Sequence, residues 1–478
     1  MSSDGGARRA VLAVVASLLV VAAVTVATLD LTGHLPGGLV ADRTASPATT
    51  SARPLDPAHE AAGAVLAPEP ASSNPSSPTA LPTGALEAAL AAPSLGGAAG
   101  ATVVDVASGE VLLDRDAATA RIPASVAKLA TAATALTVLG PQHRLTTRVV
   151  SGTTAGQVVL VGAGDATLTT KRQAGPSAAQ PASLAALAEQ TAAALARAGT
   201  SGPVSVAVDD SLFTGPAVSP GWPSTYVSAG VVSPVMALSA DEGRVRPGAD
   251  AREPDPALAA GRSFARVLAT HGVTVAPSVG RAAAPPGANV LAVAASPTVG
   301  AMVQTALQNS DNDLAEALLR DAAIGAGSPA SFAGGTALVT ETLSALGVPA
   351  QGLVLQDGSG LSRGDRIAPA TLAALLRVAA DGTHPALAPL VDGLPVAGFT
   401  GTLALRYSTG PSRGGAGVVR AKTGTLTGVS SLAGITSVAG RPVVFAAMSD
   451  RVPTGATLQA RDDLDSFAAL LARPGPRG

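Results

Sequence analysis

Apolar and polar positions fall along this chain in three regimes. The first is an uncharged apolar run from Ala10 to Leu29, preceded by Arg8 and Arg9. As a helix it would reach about 30 Å, the thickness of a bilayer's hydrocarbon core. The arginine pair predicts that residues 1–9 are cytoplasmic and that everything after Asp30 lies outside. The length of the run favours a retained transmembrane anchor. A cleavable signal segment is the rival, but its apolar part is ordinarily shorter. The second regime, residues 30–85, is rich in Pro, Ala and Ser, with eight prolines between 41 and 83. Such a stretch cannot build a core and predicts an extended, semi-rigid tether.

From about Leu86 the pattern becomes periodic. Ala101–Asp105 and Val111–Arg115 are apolar-rich runs around Ala107-Ser108-Gly109 and predict a β-hairpin. A helix follows from about Ser125 to Leu139, stopped by Gly140-Pro141. Val158–Val161 and Val204–Val208 read as strands flanking a helix capped by Ser183 and closed by Gly199. Helical patterns dominate from Thr298 to Arg377. Strands return at Val418–Thr423, Ser430–Thr436 and Val443–Met448, with Ala439-Gly440 as a turn, before a last helix over about Ala456 to Leu471. Residues 151–285 carry their own strands and apolar segments and read as an inserted domain or pair of domains. They interrupt one domain formed by 86–150 and 286–478. Strands at both its ends with helices between predict an α/β (α+β) fold, one antiparallel sheet built from distant segments and flanked by helices.

Composition narrows the function classes. With 47% hydrophobic residues in 478, the chain has room for two or three domains with real cores. A formal net charge of −2 gives no electrostatic reason to expect nucleic acid as a partner. The absence of cysteine excludes thiol catalysis, disulfides, iron–sulfur clusters and zinc-finger sites. The five histidines show no metal-ligand spacing, so no metal site is expected. Lysine is scarce: Lys128, Lys171 and Lys422 are the only three.

Two of those lysines sit inside short motifs. Ser125-Val126-Ala127-Lys128, Ser310-Asp311-Asn312 and Lys422-Thr423-Gly424 occur in that order and match S-x-x-K, S-x-N and K-T-G. At i and i+3 on a helix, Ser125 and Lys128 share a face, so the amine can reach the hydroxyl. Lysine is a base only when neutral, and burial beside Leu129 and Ala132 with a second cation nearby would bring that about. Ser310 and Asn312 lie between two helical patterns, Val299–Leu307 and Asp313–Ala323. There they can present a hydroxyl as proton relay and an amide as substrate anchor. Lys422, Thr423 and Thr425 end a strand whose free edge can pair with an extended peptide and grip a terminal carboxylate, while Gly424 permits close approach.

With these motifs and their surroundings the chain resembles the penicillin-binding, serine D-alanyl-D-alanine carboxypeptidases, and within them the type-4, class C branch. The likeness extends over Pro123–Leu129, Ser310–Glu316, Asp357-Gly358-Ser359-Gly360-Leu361-Ser362-Arg363, Gly401-Thr402-Leu403 and Lys422–Val429. The long interval between Ser125 and Ser310 suits that branch, which carries inserted domains there. The resemblance implies a β-lactamase/transpeptidase-like fold and hydrolysis of the terminal D-Ala-D-Ala bond of peptidoglycan stem peptides. Ser125 would be the nucleophile, Lys128 its base, and the backbone amides of Ser125 and Thr425 the oxyanion donors. It implies no cofactor, β-lactams as covalent inhibitors, and a place outside the cytoplasm, membrane-anchored or secreted. It also points to Trp222, Tyr226, Leu361 and Leu426 as candidate lining for a pocket that takes the stem peptide's third residue. Gly164-Asp165-Ala166-Thr167-Leu168 resembles a family stretch but lacks its proline, and no carboxylate stands between Trp222 and Tyr226.

Three alternatives compete. The G-x-S-x-G spellings at Gly360–Gly364 and Gly410–Gly414 lack the strand–turn–helix context of an α/β-hydrolase. A β-lactamase-like hydrolase needs a separate carboxylate base, and Glu316 reads instead as one half of a structural ion pair. A non-catalytic wall-binding or sensor protein would tolerate loss of a motif residue, and none is lost.

Overall fold

The computed structural model describes residues 81–173 and 180–472. The expected anchor at 10–29 and nearly all of the tether lie outside them. Among the described residues no helix is long and apolar enough to cross a membrane. The described residues form two five-stranded sheets. The first has the order β2-β1-β10-β9-β8, from β1 (Gly100–Asp105), β2 (Val111–Arg115), β8 (Arg420–Leu426), β9 (Val429–Val438) and β10 (Arg441–Ser449). Every neighbouring pair in it is antiparallel. Ala439 and Gly440 both adopt positive φ, which sets the two-residue turn between β9 and β10.

Both faces of this sheet are covered, and strand periodicity sorts the core. Along β10, Val444, Ala446 and Met448 face one apolar cluster while Val443, Phe445 and Ala447 face the other. Two helices cover the second face, α1 (Thr83–Leu90) and α9 (Thr457–Leu471). The first face carries α2 (Lys128–Leu139), α5 (Val299–Asn309), α6 (Asn312–Gly325), α7 (Phe332–Ala345) and α8 (Pro369–Ala380). Helix α2 is buried on nearly every side from Lys128 to Leu136, which sets its lysine inside the core.

The second sheet has the order β6-β5-β4-β3-β7, from β3 (Thr146–Ser151), β4 (Gln157–Val161), β5 (Val204–Asp209), β6 (Val275–Arg281) and β7 (Val290–Ala295). It reaches beyond the 151–285 range read from the sequence, because β3 and β7 pair with each other and tie the two ends of the segment together. It is mixed rather than antiparallel. The β4–β5 and β5–β6 pairs are parallel, and such pairs need long crossovers, here carried by α3 (Leu184–Arg197) and α4 (Pro256–Thr270). Ser183 caps α3 as expected, accepting from the Ala186 amide at 3.2 Å.

Charged and aromatic groups lock this insert to the helices of the first sheet. Arg252 is buried against Asp313 at 2.9 Å, and Arg320 donates to the Pro216 carbonyl at 2.8 Å while lying over the Phe332 ring. Asp165 and Asp321 form a different contact. Both are buried, neither carboxyl has a cation beside it, and Asp321 presses on Gly164 with two unpartnered oxygens. Burial raises Asp165 to about 6 and, with the charge of Asp165, pushes Asp321 well above the usual carboxyl range.

A raised carboxyl contributes stability that is fully present below its unfolded value near 4 and is lost as pH rises through the folded value. Asp165→Asn keeps an acceptor for Thr167 but carries no charge. The variant should therefore melt with the parent near pH 4. By pH 8 it should be more stable by on the order of 2–3 kcal/mol, a few degrees in a thermal melt followed by circular dichroism. Parallel melting curves from pH 4 to 8 would contradict this.

Candidate active site

Pro123 enters the site in the helical region, and Ala124 then takes φ 51°, a strained value for a residue with a side chain. The next turn, Ala124–Ala127, is a 3-10 helix, and the α-helix begins only at Lys128. This corrects the expectation of an α-helix from Ser125: the twist at Ala124 is accommodated by a tighter turn. Ser125 is thereby left half-buried at the surface of the cleft while Lys128 is 1% exposed behind it.

Lys128 Nζ lies 3.0 Å from Ser125 Oγ, 2.8 Å from Asn312 Oδ1 and 2.7 Å from the Ser359 carbonyl oxygen. The last two partners can only accept. A neutral amine has two hydrogens and one lone pair, so these acceptors take both hydrogens and the lone pair is left facing the Ser125 hydroxyl. Burial lowers Lys128 to about 8, opposed by the negative charges of Glu316, Asp357, Asp311 and Asp313. The side chain is therefore held where it can be a base near neutral pH.

Ser310 ends α5 in the left-handed region at φ 57°, which turns its hydroxyl into the cleft. Asp311 caps α6, accepting from the Leu314 amide at 2.9 Å. Asn312 follows, and its amide is already occupied on both sides. Oδ1 accepts from Lys128, and Nδ2 donates to the Val231 carbonyl at 2.8 Å. The side chain expected to anchor substrate is thus already shared between Lys128 and the Val231 carbonyl.

Lys422 reaches the same cleft from β8, the edge strand. It is fully buried and donates to Ser310 Oγ at 2.9 Å and to the Thr423 carbonyl at 3.0 Å. Burial, then the charges of Lys128 and Arg406, hold it well below the ordinary lysine value. Thr423 Oγ1 donates to Thr402 Oγ1 at 3.0 Å, while Thr425 is exposed. A Cβ on Gly424 would stand 2.6 Å from the Pro123 carbonyl oxygen and 3.2 Å from the Ser125 amide nitrogen. The close approach that Gly424 permits is therefore to the turn carrying Ser125. The three motifs meet in one cleft.

Behind Lys128 lies a loop that the motifs alone do not reveal. Asp357 accepts from the amides of Gly360 at 2.6 Å and Ser362 at 2.7 Å and from Trp222 Nε1 at 2.7 Å. Trp222 and Leu361 are buried in one cluster with Phe332, whose ring meets Trp222 edge-on at 5.3 Å, and Tyr226 packs half-buried against it. Leu426 is half-buried against Ile122, Ala124 and Val429. Glu316 is not in an ion pair, as its charge had led us to expect. It is buried under the loop and accepts from the Gly358 and Ser359 amides.

A family model described as the D-Ala-D-Ala carboxypeptidase 3 (S13) family matches residues 83–254 and 251–471. Carboxypeptidase DacB of Mycolicibacterium smegmatis is 38% identical over 428 residues, 86% of this chain and 90% of the relative. A D-alanyl-D-alanine carboxypeptidase of an Actinomadura strain is 31% identical over 435 residues, 73% of this chain and 77% of that one. Penicillin binding protein 4 (dacB) of Haemophilus influenzae superposes with a TM-score of 0.63 at 24% identity, covering 78% of this chain and 94% of its own, and has also been solved with a β-lactam bound (TM-score 0.61, 23% identity, 80% and 97% covered). A sheet built from segments near both ends of the described residues, three motifs meeting in one cleft and a match over nearly every described residue agree: the chain belongs to the D-Ala-D-Ala carboxypeptidase 3 (S13) family.

Proposed function

We propose that this chain is a serine D-alanyl-D-alanine carboxypeptidase acting on peptidoglycan stem peptides through an acyl-enzyme on Ser125. One observation carries the reading: a buried lysine whose two hydrogens are taken by Asn312 and Ser359, leaving its lone pair on Ser125. Lys128 takes the Ser125 proton as Oγ bonds to the carbonyl carbon between the two D-alanines. The C–N bond breaks, and the proton returns to the departing nitrogen by way of Ser310. Because Lys422 donates into the Ser310 oxygen, that hydroxyl's own hydrogen is free to point at the leaving amine. Water then attacks the ester carbon, Lys128 accepts its proton, and Ser125 is reprotonated as the acid leaves.

The free edge of β8 offers backbone groups to an extended substrate, and the exposed Thr425 with the Lys422 amine behind it suits a terminal carboxylate. The backbone amides of Ser125 and Thr425 would take the oxyanion. Endopeptidase action on cross-linked stem peptides would run through the same ester. A β-lactam presents a strained amide to the same serine and would remain attached, in line with the β-lactam complex of the Haemophilus relative. Cell-wall peptide lies outside the cytoplasm, and so does this activity. The run at 10–29 would hold the enzyme at the membrane, so carbonate-washed membranes should retain it, whereas recovery in the wash would show the anchor to be removed.

Mass spectrometry of the full chain after penicillin treatment should show one covalent adduct on the parent and none on Ser125→Ala. An adduct persisting in the variant would move the nucleophile elsewhere. A burst of D-alanine from a stem-peptide analogue is expected, while rapid cephalosporin turnover would favour the β-lactamase reading and no release a sensor. Because the base is the neutral amine, acylation should speed up with pH and level off above about 8. Lys128→Met should slow it by roughly 10²–10⁴-fold in stopped-flow measurements. A rate unaffected by pH from 6 to 9 would remove Lys128 from that role.

A further inference from the structure

Glu316 has a position that neither burial nor charge pairing explains. It projects from α6 one turn beyond Asn312, is 1% exposed, and has no cation at salt-bridge distance. Its Oε1 accepts from the Ser359 amide at 2.8 Å and the Gly358 amide at 3.1 Å, and Oε2 accepts from Gly358 at 3.0 Å. Two further groups hold the same few atoms. Thr131, one turn beyond Lys128 on α2, donates to the Gly358 carbonyl at 2.6 Å, and Asp357 accepts from the Ser359 amide at 3.1 Å. The Ser359 amide and the Gly358 carbonyl belong to one peptide unit, which Glu316 and Thr131 hold at its two ends. The Ser359 carbonyl, the one that takes a hydrogen from Lys128, belongs to the next unit, whose Gly360 amide Asp357 holds at 2.6 Å. Ser359 is thus fixed on both sides, and Glu316 anchors the unit from which it projects.

We propose that Glu316 is a positioning residue of the acylation step: by gripping the Gly358 and Ser359 amides it anchors the backbone from which Ser359 presents its carbonyl to Lys128, and so directs the lone pair of the base at Ser125. The inference rests on the reading of Ser125 as nucleophile. Glu316 touches neither substrate nor reacting atoms and acts through Lys128. Glycine at 358 belongs to the same device. A Cβ there would sit 2.9 Å from Leu319 Cδ2 and 3.2 Å from the Ala315 carbonyl oxygen, so its absence lets the loop lie closer to α6, within reach of Glu316. The groups that face Lys128 electrostatically are Glu316 and Asp357, with Asp311 and Asp313 on the SDN segment and Lys422 opposite. Burial, with the charge of Asp357, raises Glu316 itself to about 8, the range in which Lys128 loses its proton, so the two titrate together and removing this carboxyl lowers the pH at which the amine becomes neutral.

The test measures the acylation constant of the full chain with a chromogenic cephalosporin from pH 5.5 to 9.5. Glu316→Gln should lower the plateau rate by roughly 10-fold or more, the scale of a modest misalignment of reacting groups. It should also move the rising limb to lower pH, with the affinity of the pre-covalent complex unchanged. A residue that only fills space would alter the active fraction and leave the limb in place. Thr131→Val serves as a second variant and carries the test if Glu316→Gln does not fold. It frees the Gly358 carbonyl without changing charge, so the plateau should fall while the limb stays. A plateau within twofold of the parent in both variants, with the limb unmoved, overturns the inference while leaving Ser125 as nucleophile. Failure of the parent itself to acylate at Ser125 overturns both.

Discussion

Two buried lysine side chains share one cleft, and the architecture around them exists to make that tolerable. Neither amine could be brought there as an isolated ammonium, because an unpaired buried charge costs several kcal/mol. The fold answers with acceptors. Lys128 meets a hydroxyl, an amide oxygen and a carbonyl, and Lys422 meets a hydroxyl and a carbonyl. Burial makes the protonated form the costly one, so the cleft is at ease when the amines are neutral, and the neutral amine is the form that can take a proton. Stability and chemistry thus ask for the same protonation state.

The insert takes part in this arrangement although it contributes no motif. The Val231 carbonyl fixes which way the Asn312 amide faces, the Ser233 amide and Arg252 together hold Asp313, and Trp222 holds Asp357. Asn312 touches Lys128 itself, Asp357 holds the Ser359 amide, and Asp313 acts on Lys128 through its charge. The interface between insert and catalytic helices is correspondingly rich in buried charge, from Arg252–Asp313 to the uncompensated Asp165 and Asp321. An interface of this kind is sensitive to pH in a way an apolar one would not be.

Much of the site could be read from the chain. Ser125, Lys128, Ser310 and Lys422 announced themselves because hydroxyl and amine chemistry needs particular side chains, and side chains are what a sequence records. The central sheet was legible for a related reason: β10 alternates between two apolar clusters, so its register is written in its residues. The Ser359 and Val231 carbonyls left no trace, since every residue has a carbonyl and only the fold decides where it points. Glu316 was visible but misread, because a carboxylate near a lysine suggests an ion pair, whereas this one spends its oxygens on amide hydrogens. The mixed second sheet escaped notice because β4 and β5 pair in parallel across a distant helix, a contact that no local pattern encodes.

Trp222 is the only tryptophan in the chain, and its indole hydrogen bonds to the carboxylate that organises the loop behind the base. All indole emission from this protein therefore originates at one ring, 7% exposed and three hydrogen bonds from Lys128 by way of Asp357 and Ser359. Because that ring is bonded to the 357–362 loop, its emission reports on the order of the loop behind Lys128 with no dye attached.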